Sequence, residues 1–177
     1  RSIYQRAANA GKRVQALGGA KNHMLVLADA DVDMAADAAV GAGYGSAGER
    51  CMAISVVLAA ESIADELVAK IAERIPSIKV GPGSEPGNDM GPLVTAEHRD
   101  RVRGYVNNAP EEGATLVVDG RANVPADGYF LNPTLLDHVT TEMACYRDEI
   151  FGPVLSVMRV AGYQDGIDTI NANPYAN

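Results

Sequence analysis

Residues 31–75, DVDMAADAAVGAGYGSAGERCMAISVVLAAESIADELVAKIAERI, decide the fold class. Small apolar residues recur at helical spacing from Val32 to Gly43 and predict a helix with a narrow packing face. A glycine-rich loop follows over Tyr44–Cys51, and the apolar run Ala53–Ala60 is typical of a buried strand. A second amphipathic helix is predicted over Ser62–Ile75. The succession of helix, strand and helix indicates an α/β fold.

The rest of the chain continues this alternation. Asp29 and Asp31 are candidate caps of the first helix, and Ser62 of the second. Further helices are predicted over the opening residues 1–10, from a Thr95 cap to about Asn108, and over Asp165–Ala172; the Gly/Pro-rich residues 81–92 predict a long loop. The further strands are predicted at Arg13–Leu17, His23–Leu27, Thr115–Val118, Tyr129–Leu131, Thr134–Leu136 and Val154–Val160.

Composition excludes several classes of protein. The 177 residues, 47% of them hydrophobic, suffice for one compact domain. A formal net charge of -8 and 5% aromatic residues argue against nucleic-acid binding. The apolar runs are shorter than the roughly 20 residues of a membrane-spanning helix, so we expect a soluble protein. Two cysteines without CxxC spacing, and scattered histidines, predict neither a disulfide framework nor a metal site.

The ends of the sequence lead us to expect a fragment truncated at both ends. The chain begins at Arg1 without a signal-like apolar core, and it stops in the turn-forming residues 173–177. We therefore expect that further segments of the polypeptide complete the protein.

Cys51 is the first candidate for chemistry. It lies between a glycine-rich loop and a strand, where functional side chains are commonly held, and Arg50 is a neighbouring cation that would favour the reactive thiolate. The competing interpretation is an inert packing cysteine, which is the interpretation we adopt for Cys145.

Three motifs in register carry a family resemblance: LGGAKN at residues 17–22, GSAGERC at 45–51 and DEIFGPV at 148–154. Together they resemble the aldehyde dehydrogenase superfamily. The resemblance implies a mostly parallel sheet flanked by helices, with about 1–16 from the end of the nucleotide domain and about 17–177 from the catalytic domain. It also implies that the thiolate of Cys51 attacks an aldehyde, that hydride passes to NAD, and that a thioester remains on sulfur.

The same resemblance assigns cofactor-binding roles to two residues of DEIFGPV. Glu149 matches the position that holds the nicotinamide ribose hydroxyls, and Phe151 matches the one that packs against the nicotinamide end of the cofactor. The competing interpretation makes Glu149 a solvated loop acid and Phe151 a core anchor. No GxGxxG sequence follows a predicted strand and opens a helix, as the dinucleotide-binding fingerprint requires, so we expect the chain to bind NAD poorly by itself.

Ala16 departs from the pattern of hydrolytic family members, which carry a water-activating glutamate there. Because alanine cannot act as a base, we expect coenzyme A to accept the acyl group. Ala16 and the motifs resemble the methylmalonate-semialdehyde dehydrogenase branch, which forms acyl-CoA with loss of carbon dioxide. Arg50 would bind the substrate carboxylate, or else pair with Glu49 or Asp148. Glu49 is a weaker candidate for a substitute base.

Two rival functions remain open at this point: a non-catalytic, self-associating domain fragment, and a hydrolytic aldehyde dehydrogenase with another substrate range. The resemblance further implies a small semialdehyde substrate and a homo-oligomer in the full-length protein. It places the protein in the cytoplasm if the source is bacterial, or in the mitochondrial matrix if it is eukaryotic. Lys21 and Asn22 are expected to support the site structurally.

Overall fold

Five strands form one mixed sheet in the computed structural model, which describes residues 2–175. The strands are β1 (His23–Val26), β2 (Val56–Ala60), β3 (Thr115–Val118), β4 (Thr134–Asp137) and β5 (Val154–Val160). Their order in the sheet is β1-β2-β5-β4-β3, and only the β3–β4 pair is antiparallel. The predicted α/β fold with a mostly parallel sheet is therefore confirmed.

The described residues form six α-helices and two short 3-10 helices, Gly45–Gly48 and Ile75–Ser77. The α-helices are α1 (Ser2–Asn9), α2 (Val32–Tyr44), α3 (Glu61–Arg74), α4 (Ala96–Glu111), α5 (Ala144–Arg147) and α6 (Tyr163–Ala172). Two of the predicted caps are confirmed: the Asp31 side chain accepts a hydrogen bond from the Met34 amide, and the Thr95 hydroxyl accepts one from the His98 amide. Such caps satisfy backbone N–H groups that the first turn of a helix leaves unpaired.

The core has two layers because β2 is buried on both faces. Val57 and Ala59 pack with the alanine-rich α2 and with α3, whereas Val56 and Leu58 pack on the opposite face with α4. Successive side chains of a strand point to opposite faces, so an unbroken apolar run fills both layers. The small residues of α2 allow that helix to lie close to the sheet.

Three predicted features are wrong. Residues 13–17 and 129–131 form no strands; the first segment is mostly exposed and has no ladder partner in residues 2–175, and the second makes a single bond, from the Leu93 amide to the Tyr129 carbonyl (2.9 Å). Strand propensity without a neighbouring strand does not produce a sheet. Ser62 is not a cap, since α3 already begins at Glu61 and Ala60 occupies the N-cap without a side-chain bond.

Three loops meet at one edge of the sheet because β1, β2 and β5 are parallel. Residues 20–22 precede β1, residues 49–55 precede β2, and residues 148–153 precede β5. The LGGAKN, GSAGERC and DEIFGPV motifs thus come together at the amino ends of these strands. No helix in the described part of the chain is long and apolar enough to cross a membrane.

Candidate active site

Cys51 follows a turn with an unusual backbone. Ser46, Ala47 and Gly48 have φ values of 56°, 56° and 70°, which is the left-handed region that residues with a Cβ rarely adopt. Such conformations persist only where the surroundings enforce them, and they concentrate at functional sites. Cys51 is exposed beyond this turn, whereas Cys145 is buried. An exposed thiol does not fit the packing interpretation of Cys51.

Asn22 fixes the backbone on the far side of the thiol. Its side-chain amide donates to the carbonyl oxygens of Cys51 (2.8 Å) and Ala53 (2.7 Å). The Asn22 carbonyl accepts from the amides of Ser55 and Val56, which lead into β2. The loop that carries the thiol is therefore tied to the residue that precedes β1.

Arg50 is exposed and makes no ion pair with any residue of 2–175. The pairing expected in the competing interpretation is not formed, because Glu49 contacts His98 (3.2 Å) and Asp148 accepts from Tyr105 (2.9 Å). The Arg50 guanidinium lies over Gly45, with Nη1 3.3 Å from the place where a Cβ would stand. A guanidinium without an ion pair in these residues can offer two parallel N–H donors to an incoming carboxylate.

The DEIFGPV loop lies directly against the turn before Cys51. The Gly152 carbonyl approaches Gly48 so closely that a Cβ at Gly48 would overlap it, and Phe151 is itself left-handed with φ 60°. A cavity of about 20 Å³ lies between the two loops and is lined by Asn22, Arg50, Ser55, Glu149 and Phe151 among others. Arg50, Glu149 and Phe151, all singled out from the sequence, thus share one cavity.

Lys21 is buried beneath the same loop. Its ammonium group donates to the carbonyl oxygens of Cys145 (2.7 Å) and Asp148 (2.8 Å), and so holds the backbone just before Glu149. Burial lowers the pKa of Lys21 to about 8, and the nearby Cys145, Asp148 and Glu149 oppose this shift only in part. Burial likewise raises the pKa of the Cys145 thiol.

Sequence reasoning missed a face of α4 that contacts residues 148–152 at four successive points. The contacts are Tyr105 to the Asp148 carboxylate (2.9 Å), Arg101 to the Ile150 carbonyl (3.1 Å), His98 to the Phe151 carbonyl (2.6 Å) and Val102 against Gly152. Positions 98, 101, 102 and 105 share one helical face, and this spacing was the available signal. Burial and the bond to Asp148 raise the pKa of Tyr105.

The two positions considered for water activation lie in different surroundings. Glu49 is held by α4 and the residues just before it, because its carboxylate accepts from the Val94 amide (3.3 Å) and lies 3.2 Å from Nε2 of His98 in α4. Ala16 is exposed and lines a separate cleft of about 560 Å³ with Leu17 and Tyr175. Within the described residues, neither Glu49 nor the segment around Ala16 therefore places a free carboxylate in the cavity that Arg50 lines.

A turn that leads to the thiol of Cys51 and a loop that carries the carboxylate of Glu149 thus meet at one edge of an α/β sheet that helices cover on both faces. The family model of the aldehyde dehydrogenase family matches residues 1–177, and the chain belongs to this family.

Several individual members of the family are similar to this chain. Malonate-semialdehyde dehydrogenase 1 of Shouchella clausii is 49% identical over 175 residues, which are 99% of this chain and 36% of the relative. The crystal structure of methylmalonate-semialdehyde dehydrogenase from Oceanimonas doudoroffii superposes with a TM-score of 0.95 at 52% identity, covering 99% of this chain and 37% of the other. The crystal structure of betaine aldehyde dehydrogenase from Staphylococcus aureus in complex with NAD+ superposes with a TM-score of 0.91 at 34% identity, covering 97% of this chain and 35% of the other. The chain therefore spans little more than a third of these relatives.

Proposed function

We propose that this chain carries the nucleophile and the nicotinamide side of an NAD-dependent, CoA-acylating malonate- or methylmalonate-semialdehyde dehydrogenase. In this proposal residues 1–16 belong to the end of the nucleotide domain and residues 17–177 to the catalytic domain. The observation that carries it is the exposed guanidinium of Arg50, which pairs with no carboxylate of residues 2–175 and is adjacent in sequence to the exposed Cys51. The malonate- and methylmalonate-semialdehyde dehydrogenases among its relatives support the choice of substrate.

Arg50 would select the substrate by its carboxylate. A guanidinium binds a carboxylate through charge-assisted and often bidentate hydrogen bonds, which orient the bound molecule as well as hold it. Since Arg50 adjoins Cys51 in sequence, a short semialdehyde bound there would present its carbonyl carbon to the sulfur. Orienting the reactants in this way lowers the barrier by removing the entropy of the encounter.

Cys51 would act as the nucleophile. Its thiolate forms a bond to the aldehyde carbon, the carbonyl π electrons move to oxygen, and a thiohemiacetal oxyanion results. Backbone N–H groups of the turn, including that of Cys51, are suitable donors to this oxyanion. Loss of the aldehyde hydrogen as hydride restores the carbonyl and leaves an acyl thioester on sulfur.

The donor chemistry at Glu149 fits the nicotinamide ribose of NAD. Its half-buried carboxylate accepts no hydrogen bond from the described residues, and a carboxylate can accept two from a vicinal diol. Phe151 lines the same cavity and offers an aromatic surface. NAD supplies the hydride acceptor when it is bound. Residues for its pyrophosphate and adenine would come from other segments of the polypeptide.

Coenzyme A is the acyl acceptor that this site would require. Ala16 has no ionisable group, and the Glu49 carboxylate is held by the Val94 amide and by His98, so neither position considered for water activation provides a free base. The coenzyme A thiolate needs no such base: it bonds to the thioester carbon and releases the Cys51 thiolate. The acyl group carries a carboxylate on the carbon next to the thioester carbonyl. As carbon dioxide leaves, this carbonyl takes up the electrons of the breaking C–C bond, and the resulting enolate takes up the proton that coenzyme A loses on ionising. Overall, semialdehyde, NAD+ and coenzyme A give acyl-CoA, NADH and carbon dioxide.

The decisive assay uses a polypeptide of the relatives' length that contains this chain. NADH formation is followed with malonate semialdehyde, methylmalonate semialdehyde and propanal, with and without coenzyme A, and products are identified by mass spectrometry. We expect sustained turnover of a semialdehyde only with coenzyme A, and without it a single burst equal to the enzyme concentration. Equal steady rates without coenzyme A would instead establish a hydrolytic dehydrogenase.

A further inference from the structure

His98 connects the two loops of the proposed site through one largely buried side chain. Its Nε2 lies 2.6 Å from the Phe151 carbonyl oxygen and 3.2 Å from the Glu49 carboxylate, and only 12% of the side chain is exposed. Glu49 belongs to the loop that bears Cys51, and Phe151 to the loop that bears Glu149. Within residues 2–175, no other side chain contacts both loops in this way.

Arg101 determines which tautomer of His98 fits. Its Nη2 lies 3.2 Å from Nδ1 of His98 and 3.1 Å from the Ile150 carbonyl oxygen. A guanidinium can only donate, so Nδ1 must accept, and the ring proton resides on Nε2. The Nε2–H group then points toward the Phe151 carbonyl and the Glu49 carboxylate, both of which are acceptors. One neutral tautomer satisfies every contact.

We propose that His98, oriented by Arg101, is a positioning residue. It sets the spacing between residues 45–55, here called the thiol loop, and residues 148–153, here called the cofactor loop. The segment it holds includes Phe151 in the left-handed conformation, which a residue with a Cβ keeps only where its surroundings enforce it, and the contact to its carbonyl is one such restraint. Val102, one helical turn after His98, packs against the same loop, and its side chain lies 2.7 Å from where a Cβ on Gly152 would stand.

This role deepens the proposed function and rests on it for its catalytic consequence. Hydride transfer requires the carbon on Cys51 and the acceptor ring beside Phe151 to be held within a few tenths of an ångström. If the Nε2–H donor is lost, the Phe151 carbonyl is released while the thiol and the guanidinium of Arg50 remain. We therefore expect cofactor alignment to suffer more than substrate binding.

Three variants separate this role from general stability. His98→Asn keeps an acceptor for Arg101 but is too short to reach the Phe151 carbonyl, whereas His98→Gln places an amide N–H at about the reach of Nε2. His138→Asn is the control, because His138 follows β4 at the opposite edge of the sheet and adopts φ 55°, which asparagine tolerates. Circular dichroism verifies that each variant is folded.

The first measurement is made on the 177-residue chain. We expect long-range ¹⁵N NMR to show the Nε2-protonated tautomer of His98. Hydrogen exchange of the peptide covering 148–153 should accelerate at least about fivefold in His98→Asn and stay near wild type in the other two variants. The Nδ1-protonated tautomer, or exchange in His98→Asn equal to wild type, would overturn the proposal.

The second measurement uses the longer polypeptide with coenzyme A present. In His98→Asn we expect kcat to fall about 10-fold and the KM for NAD to rise about threefold, with the KM for semialdehyde unchanged and both values restored in His98→Gln. A fall in kcat alone, or no rescue by glutamine, would show a merely structural residue. If the wild-type enzyme oxidises neither semialdehyde, the proposed function fails, and the NMR and exchange data still decide the role of His98.

Discussion

The carbonyl oxygen of Gly152 occupies the space that a side chain on Gly48 would need. Gly48 ends the left-handed turn before Cys51, and Gly152 precedes β5, so this contact joins the thiol loop to the cofactor loop through backbone atoms alone. Position 48 must be glycine for two reasons: its φ of 70° disfavours a Cβ, and there is no room for one.

Gly48→Ala should lower the free energy of unfolding by about 1–3 kcal/mol, since the new methyl group forces the two loops apart. Gly41→Ala is the matched control, because Gly41 lies within α2 with nothing within 4 Å of the added Cβ. That substitution should raise the free energy of unfolding by about 0.5–1 kcal/mol through helix propensity. Urea unfolding measures both, and a neutral Gly48→Ala would contradict the described contact.

The two cysteines should react with iodoacetamide at very different rates. Cys51 is exposed, whereas Cys145 is buried and its pKa is raised by burial, so its thiolate is both scarce and inaccessible. We expect Cys51 to be alkylated at least about 100-fold faster, as followed by peptide mass spectrometry. Cys145→Ser should leave the fast phase intact and Cys51→Ser should remove it. Comparable rates would favour a non-catalytic fragment.

Arg50→Gln should weaken discrimination for carboxylate-bearing aldehydes. Loss of a charge-assisted bidentate contact is worth about 1.5–3 kcal/mol, so kcat/KM for malonate semialdehyde should fall about 10–100-fold. Propanal, which has no carboxylate, serves as the internal control and should change by less than about threefold. Arg50→Lys should recover only part of the loss, because an ammonium group lacks the planar fork. Equal losses for both aldehydes would refute a carboxylate-binding role.

The stability of the chain should rise with pH above about 8 through Lys21. The folded pKa of Lys21 is lowered from 10.5 to about 8, so between these values the unfolded chain binds more protons than the folded one. The free energy of unfolding then increases with pH in this window, and the burial penalty is largest below it. Lys21→Met should abolish this increase, although it also removes two hydrogen bonds.

The measurement for Lys21 is the difference in unfolding free energy between wild type and Lys21→Met at several pH values from 7 to 10. Groups other than Lys21 contribute nearly equally to both proteins and largely cancel. A difference that stays constant with pH would mean that the Lys21 amine is not desolvated as described.

Local patterns in the sequence were sufficient for much of the fold. The helical spacing in α2, the apolar run of β2 and the caps Asp31 and Thr95 act within a few residues, so the sequence displays them directly. Residues 13–17 have strand propensity as well, but a strand exists only with a partner, and partners are set by tertiary structure.

The site residues also fall into a group that the sequence revealed and a group that it did not. Cys51, Arg50, Glu149 and Phe151 were identified through motifs, and the structure brings the last three to one cavity. The face of α4 was missed because two of its three hydrogen bonds to this loop reach backbone carbonyls about fifty positions away, as from Arg101 to Ile150. A carbonyl acceptor is present in every residue, so no side-chain pattern marks which ones are used.

The position of β5 in the sheet governs the order in which the molecule can be completed. β1 and β2 pair with each other, as do β3 and β4, but the two pairs are joined only by β5, the last strand in the described residues. During synthesis from the amino end, the two strand pairs can therefore form only as separate units with unpaired strand edges until β5 is made. Residues 148–153 immediately precede β5, so the same docking event that completes the sheet also brings this loop against the turn before Cys51.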